Sequence, residues 1–297
     1  MSTALVLPGQ GSQRPGIGAP WRETRGWSFV ERAGELLGRD VGRLLIDADA
    51  EELRATREAQ VSTFLVSVLA WEALHGLPDV VAVAGHSLGE LTALVVGGAL
   101  TCDDGLMLVG ARASAMQAAA DARPGTMAAV LGLDSEVVAG VLEDVPDCWA
   151  ANDNAPSHVV VSGTVEGVAA GGAALRAAGA RRVLPLPVGG AFHTPLMQPA
   201  RARFETALRE VTPALPGVPV LSGVTAAPYD EDVAGTLSRQ LTAPVRWREV
   251  LLALPGLGVD RVVELGPGGV LTGLVKRTLP GVRAVSVAAP ADLALLD

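Results

Sequence analysis

The pentad Gly85-His86-Ser87-Leu88-Gly89 is the feature that most limits what this chain can fold into. An apolar run, Val80–Ala84, leads into it, and a stretch with Leu91, Leu94 and Val95 on one helical face leaves it. A G-x-S-x-G pattern between a strand and a helix makes a turn too tight for side chains at its glycines. It lifts Ser87 clear of a sheet and leaves it at a helix N-terminus, where free N–H groups and the helix dipole favour a developing oxyanion. The same pattern also suits a glycine-rich turn whose serine is incidental.

Short apolar runs alternate with longer helical patterns, which predicts an α/β fold with a largely parallel sheet. Ala4–Leu7 reads as a strand running into the glycine turn Gly9–Gln13. Asp103 and Asp104 are placed to cap a helix with Leu106, Val109, Ala113 and Met116 on its apolar face. The middle of the chain changes character. Strand Met127–Leu133, helix Ser135–Glu143, strands Cys148–Asn152 and His158–Ser162, helix Val165–Ala178 and strand Arg182–Leu186 give the order βαββαβ, which is ferredoxin-like. The reading is therefore a large α/β domain, 1–124 and 189–297, with a small ferredoxin-like domain, 125–188, inserted. The larger pattern resumes with a helix after Pro195, strand Val218–Leu221, helices at Asp232–Gln240 and Trp247–Leu254, strand Arg261–Leu265 and a helix after Gly269.

Several function classes fall away. With 23 basic and 32 acidic residues the formal net charge is −9, which argues against binding nucleic-acid phosphates. Nearly all the positive charge is arginine; Lys276 is the single lysine, which we read as coding bias. Cys102 and Cys148 form no CxxC pair, so no zinc site is expected, and a disulfide between them has no secretory context. The N-terminus lacks a basic segment and reaches Pro8 too early for a signal peptide. The apolar stretch Leu91–Cys102 is well short of the about 20 residues a membrane span needs. A soluble, cytoplasmic protein is expected.

A nucleophilic serine needs a base, and the histidines are His75, His86, His158 and His193. His86 adjoins Ser87, so its side chain should diverge from it at the turn. His75, in Ala-Leu-His-Gly, reads as a solvated helix end. His193 lies in Gly189–Pro195, where the insert returns to the main domain and a cleft is expected; an ordinary satisfied loop histidine fits equally. Arg112 falls on the apolar face of its helix. It is either half of an internal ion pair, with an acid such as Asp103, or a fork for a substrate carboxylate. Gly9–Gln13 is a poor dinucleotide signal, because Arg14 stands where a third glycine belongs. It fits better as a second N–H donor loop beside the amide of Leu88.

Taken together, GQGSQ near the N-terminus, GHSLGE at Gly85–Glu90, Arg112 within Ala111–Gln117, GAFH at Gly190–His193 and ELGPGGVLTGLVKR at Glu264–Arg277 resemble the malonyl-CoA:acyl carrier protein transacylases and the related acyltransferase domains of polyketide synthases. The likeness runs in order along essentially the whole chain. It implies a hydrolase-like α/β domain with a ferredoxin-like insert. It implies Ser87 as nucleophile and His193 as general base and acid. The backbone amides of Gln10 and Leu88 would form the oxyanion hole, and Arg112 would hold the malonyl carboxylate. Gln240 would orient His193 through its backbone carbonyl, and Gln60, Asn154 and Phe192 would border the substrate. Leu91 and His158 depart from the common pattern, which more often has an aromatic residue and a glutamine there. The implied reaction is ping-pong: a Ser87 acyl-enzyme formed from malonyl-CoA passes its acyl group to the phosphopantetheine thiol of an acyl carrier protein, in fatty acid or polyketide synthesis. No cofactor or metal is implied, and a monomer is expected. The alternatives are a transferase for methylmalonyl or a starter acyl group, a carrier thioesterase, and a non-catalytic carrier-binding subunit. Leu88 and Phe192 resemble the malonyl type, and Arg112 has no use in editing plain acyl chains.

Overall fold

The computed structural model describes residues 1–74 and 79–296; His75 lies outside the described residues. In chain order the strands and helices are β1 (Thr3–Leu7), α1 (Trp27–Leu37), α2 (Val41–Ile46), α3 (Thr56–Ala73), β2 (Val80–Gly85), α4 (Gly89–Val96), α5 (Cys102–Ala122), β3 (Thr126–Leu131), α6 (Ser135–Leu142), β4 (Cys148–Ala155), β5 (His158–Gly163), α7 (Val165–Ala177), β6 (Arg182–Pro185), α8 (Gln198–Leu208), β7 (Val220–Leu221), α9 (Val233–Arg239), α10 (Trp247–Ala253), β8 (Arg261–Leu265), α11 (Val270–Thr278) and β9 (Arg283–Val287).

A five-stranded parallel sheet, ordered β7-β2-β1-β8-β9, carries the large α/β domain. The central strand β1 is buried at all its residues, as expected of a parallel strand covered on both faces. One face packs against α3, which is buried almost throughout because α5 and α4 enclose its other sides. The other face packs against α10 and α11 through Trp247, Leu251, Leu271 and Val275.

A second sheet is antiparallel, ordered β4-β5-β3-β6, with α6 and α7 on one face, where their Val138 and Leu175 join Val130, Val159 and Val161 of the strands. This is the ferredoxin-like small domain. The hairpin β4–β5 docks on the large domain through backbone bonds: Asp153 N–H donates to Val245 O at 2.9 Å, and Val245 N–H to Ala151 O at 2.8 Å.

The structure corrects the sequence reading in several places. α5 is capped by Thr101, whose hydroxyl accepts from the Asp104 N–H at 3.0 Å; Asp103 and Asp104 sit inside the first turn. β3 ends at Leu131, before Gly132 at φ +100°. β4 runs on to Ala155, and of the strand predicted at Val218–Leu221 only Val220–Leu221, β7, pairs. A single 3-10 turn, Pro195–Met197, precedes α8. The helices α1 and α2 and the strand β9 carry no signal that the sequence reading used, and α3 is marked only by the helix end read at His75.

Candidate active site

In-register pairing of Leu7 with Gly85 brings the ends of β1 and β2 side by side. The turns that leave them touch: a Cβ on Gly9 would lie 2.6 Å from His86 O, and one on Gly89 2.0 Å from Leu7 O. A Cβ on Gly85 would lie 2.0 Å from the Gly89 carbonyl. Only glycine closes this elbow. The bend puts Ser87 at φ +52°, a left-handed conformation that costs a non-glycine residue about 1–3 kcal/mol. The neighbouring His86 turns away, as expected. Its Nε2 meets Asn154 Oδ1 at 2.8 Å, and its ring stands edge-on to Trp247.

His193 reaches Ser87 from 106 residues downstream. It too has a left-handed backbone, φ +60°, and it is buried. Ser87 Oγ and His193 Nε2 are 2.7 Å apart, and His193 Nδ1 lies 2.9 Å from the backbone oxygen of Gln240. A carbonyl oxygen can only accept, so Nδ1 carries the proton and Nε2 is left to accept from the Ser87 hydroxyl. Burial, reinforced by the Arg112 cation, holds the His193 pKa down to about 3. The imidazole is therefore neutral at physiological pH.

Arg112 is 1% exposed and reaches this pair from α5. Nη1 donates to Gln60 Oε1 at 2.7 Å; Nη2 donates to Ser87 Oγ and to Gln240 Oε1, both at 3.0 Å. Its Nε–H has no partner among the described residues. No carboxylate pairs with it there either: Asp103, the sequence candidate, bonds Arg32 instead at 3.0 Å. Burial lowers its pKa to about 10, so it stays protonated at neutral pH. A buried guanidinium without an anion, with a spare donor, can receive a carboxylate.

The other sequence candidates fall around this centre. Gln60 is fully buried and makes long contacts to Gln10 Oε1 and Met116 Sδ, both 3.4 Å. Leu88, at the start of α4, is buried; neither its N–H nor that of Gln10 appears among the backbone bonds of the described turns and loops. Asn154 spends its side-chain oxygen on His86. Phe192 packs in the main core against Gly190. His158 stands at the start of β5, and the Ser87 hydroxyl bonds His193 and Arg112 instead. The sequence reading missed the side-chain role of Gln240, whose Nε2 donates to Ser87 O at 2.9 Å and to Glu90. It also missed Glu90 and Tyr229, which bond each other. Glu90 stood inside a quoted motif; Tyr229 gave no signal.

A cleft of about 590 Å³ opens onto His193 between the small sheet and the Gln240–Val245 segment, lined by Leu142, Pro146, Cys148, Trp149, Thr242 and Pro244. A larger hollow of about 850 Å³ by α1 and α3 touches neither Ser87 nor His193. Both cysteines are free, and no helix of the described residues is long and apolar enough to cross a membrane.

Comparison with known proteins agrees with this geometry. The family model of the acyl transferase domain matches residues 4–293. Malonyl CoA-acyl carrier protein transacylases of Bacillus subtilis and Escherichia coli K12 are 37% and 36% identical over 98% of this chain, and 95% and 97% of their own lengths are matched. The Burkholderia thailandensis polyketide biosynthesis protein ThaF is 38% identical over 96% of the chain, which spans a quarter of that protein. An acyl-carrier-protein S-malonyltransferase from Burkholderia pseudomallei superposes with TM-score 0.95 at 37% identity, covering 100% of this chain and 99% of that one. A malonyl-transacylase solved in complex with its type II PKS acyl-carrier protein gives TM-score 0.95 at 34% identity, covering 99% and 98%. With a hydrogen-bonded serine–histidine pair at a strand-to-helix elbow and this match over nearly its whole length, the chain belongs to the acyl transferase domain family.

Proposed function

We propose that the protein moves a malonyl group from malonyl-CoA to the phosphopantetheine thiol of an acyl carrier protein, in fatty acid or polyketide synthesis. The observation that carries the reading is the 2.7 Å Ser87–His193 contact beside a buried Arg112 with no counter-carboxylate bonded to it among the described residues. His193 Nε2 takes the Ser87 proton as Oγ attacks the thioester carbonyl, and returns it to the departing coenzyme A sulfur. The N–H groups of Leu88 and Gln10 face the carbonyl oxygen as its charge develops. The carrier thiol then reverses the sequence, giving its proton to His193 and taking the acyl group from Ser87. Gln240 O keeps the imidazole in the required tautomer, so no catalytic aspartate is needed.

Arg112 selects an acyl group that ends in a carboxylate, with Gln60 holding its fork and Phe192 and Asn154 bordering the site. Thioester-for-ester exchange is polar chemistry that these groups supply, so the reading includes no metal or redox cofactor. The chain is read as two units, 1–124 with 189–297 and 125–188, the cleft between them admitting the thiol arm. A cytoplasmic location fits two unpaired thiols. An editing thioesterase would leave Arg112 without a purpose.

Incubating Ser87→Ala with radiolabelled malonyl-CoA tests the proposal. No covalent label should remain on the variant; label at wild-type stoichiometry removes Ser87 from the nucleophile's role.

A further inference from the structure

Glu90 is fully buried in the first turn of α4, three residues after Ser87. The groups bonded to its carboxylate among the described residues are neutral: the Tyr229 hydroxyl and the Gln240 side-chain amide. Burial raises the pKa of the Glu90 carboxyl, and the hydrogen bonds donated to it by Tyr229 and Gln240 oppose that shift and favour the carboxylate. Among the described residues, the charge of Glu90 works against the effect of burial on the Arg112 guanidinium. Between the two charges stands a single group, the Gln240 carboxamide, with Nε2–H toward Glu90 and Oε1 toward Arg112. Its orientation is fixed chemically, because the reverse would set N–H against guanidinium N–H and oxygen against carboxylate. Gln240 also holds Ser87 O through Nε2 and His193 through its backbone oxygen.

We propose that Glu90 is a positioning residue for acyl selection: it locks Gln240, and with it the Nδ1 acceptor of His193, and its charge balances Arg112 while the acyl site is empty. This rests on the roles given above to Ser87, His193 and Arg112. An incoming malonyl carboxylate meets the Arg112 cation with the Glu90 anion behind it. Glu90 thus moderates the affinity for anionic acyl groups and leaves neutral ones alone.

Glu90→Gln separates charge from geometry. The amide keeps an oxygen for Gln240 Nε2 and offers N–H to the Tyr229 oxygen, so the network survives without its charge. KM for malonyl-CoA should fall about three- to tenfold, while KM for acetyl-CoA moves less than about twofold. Glu90→Ala frees Gln240, and kcat of acylation should fall about tenfold or more for both acyl groups. Labelling of Ser87 by a fluorophosphonate and a thermal melt show whether each variant is folded. Equal KM shifts for the two thioesters in Glu90→Gln, or none, overturn the charge role. Wild-type kcat in Glu90→Ala overturns the positioning role, and if that variant does not fold Glu90→Asp, one methylene short of Gln240, takes its place. Failure of the underlying site reading shows separately, as label retained by Ser87→Ala.

Discussion

Arg112→Ala should convert a malonyl-selective enzyme into an unselective one. The guanidinium is 1% exposed and protonated, so a carboxylate paired with it is shielded from water on the protein side. A charge-assisted contact of this kind contributes about 1.5–3 kcal/mol, or about 10–150-fold in kcat/KM for malonyl-CoA. Acetyl-CoA carries no carboxylate and should lose nothing by that route. It should gain slightly, because the Arg112 Nη2–H that donates to Ser87 Oγ at 3.0 Å, and so ties up a lone pair of the attacking oxygen, is gone. The fold will feel the change, since Gln60 and Gln240 each lose a donor, at about 1–3 kcal/mol per unpaired buried acceptor. Kinetics are therefore measured well below the melting temperature of the variant. The deciding quantity is the ratio of kcat/KM for malonyl-CoA and acetyl-CoA, followed by release of coenzyme A. An equal loss for both thioesters refutes the carboxylate role and leaves Arg112 a structural crosslink between α3, α5 and the Gln240 segment.

Other perturbations read other parts of the site. His193→Ala should slow acylation by roughly 10²–10⁴, and an unchanged rapid-quench rate would mean that another group takes the Ser87 proton. The unfolded chain protonates this histidine below about 6.5, whereas the folded one resists to about 3. Stability must then fall with acidification across that window, by up to about 1.4 kcal/mol per pH unit from this group; urea midpoints at pH 7.5 and 5 should differ less in His193→Ala than in the wild type. Gly89→Ala should unfold or trap the protein, because its Cβ meets the Leu7 carbonyl at 2.0 Å, while Gly140→Ala, in open space on α6, should raise stability by about 0.5–1 kcal/mol; similar melts for the two variants would contradict the elbow geometry. Of the basic residues flanking the cleft in sequence, Arg201, Arg246 and Arg248 are tied to Glu205, Glu249 and Asp153, whereas Arg181, Arg182, Arg203, Lys276 and Arg277 are exposed and in no ion pair among the described residues. Reversing Arg182 and Arg277 to Glu should raise KM for the carrier if it docks through negative charge, and spare acylation by malonyl-CoA; equal losses in both half-reactions would assign the pair to coenzyme A phosphates instead.

What the sequence made legible follows the range of the physics involved. The elbow is local: two glycines, a serine and their flanking strand and helix lie within one turn, and steric exclusion at Gly85 and Gly89 leaves the chain one way to pass. The βαββαβ order is also local, since each element shows its own period and the loops are short. Strand ends were less legible because tertiary pairing sets them. β4 extends to Ala155 only because β5 returns beside it and Val245 bonds its other side, and neither contact is written in residues 148–155. Of the two readings left open for Arg112, the ion pair with an acid such as Asp103 does not form, because α1 brings Arg32 to Asp103 across 71 residues.

The network around Gln240 shows where motif reading stops. The serine is recognisable because its chemistry demands a strained turn, and the histidine because a loop joins two domains. Gln240 is different: one residue holds Ser87 O from 153 positions away, Glu90 from 150 and Arg112 from 128, while its carbonyl fixes His193. Nothing in the composition of residues 236–245 requires such convergence. It is produced by the end of α9 meeting the start of α4 in a space from which water is excluded. In that space an amide is the one neutral side chain that can face a carboxylate with its nitrogen and a guanidinium with its oxygen at once. A glutamate there would repel Glu90, and an aliphatic residue would remove one hydrogen bond from each of three polar groups, at about 0.5–1.5 kcal/mol each. The nucleophile and base are held by a residue whose own identity is dictated by two buried charges that never touch each other.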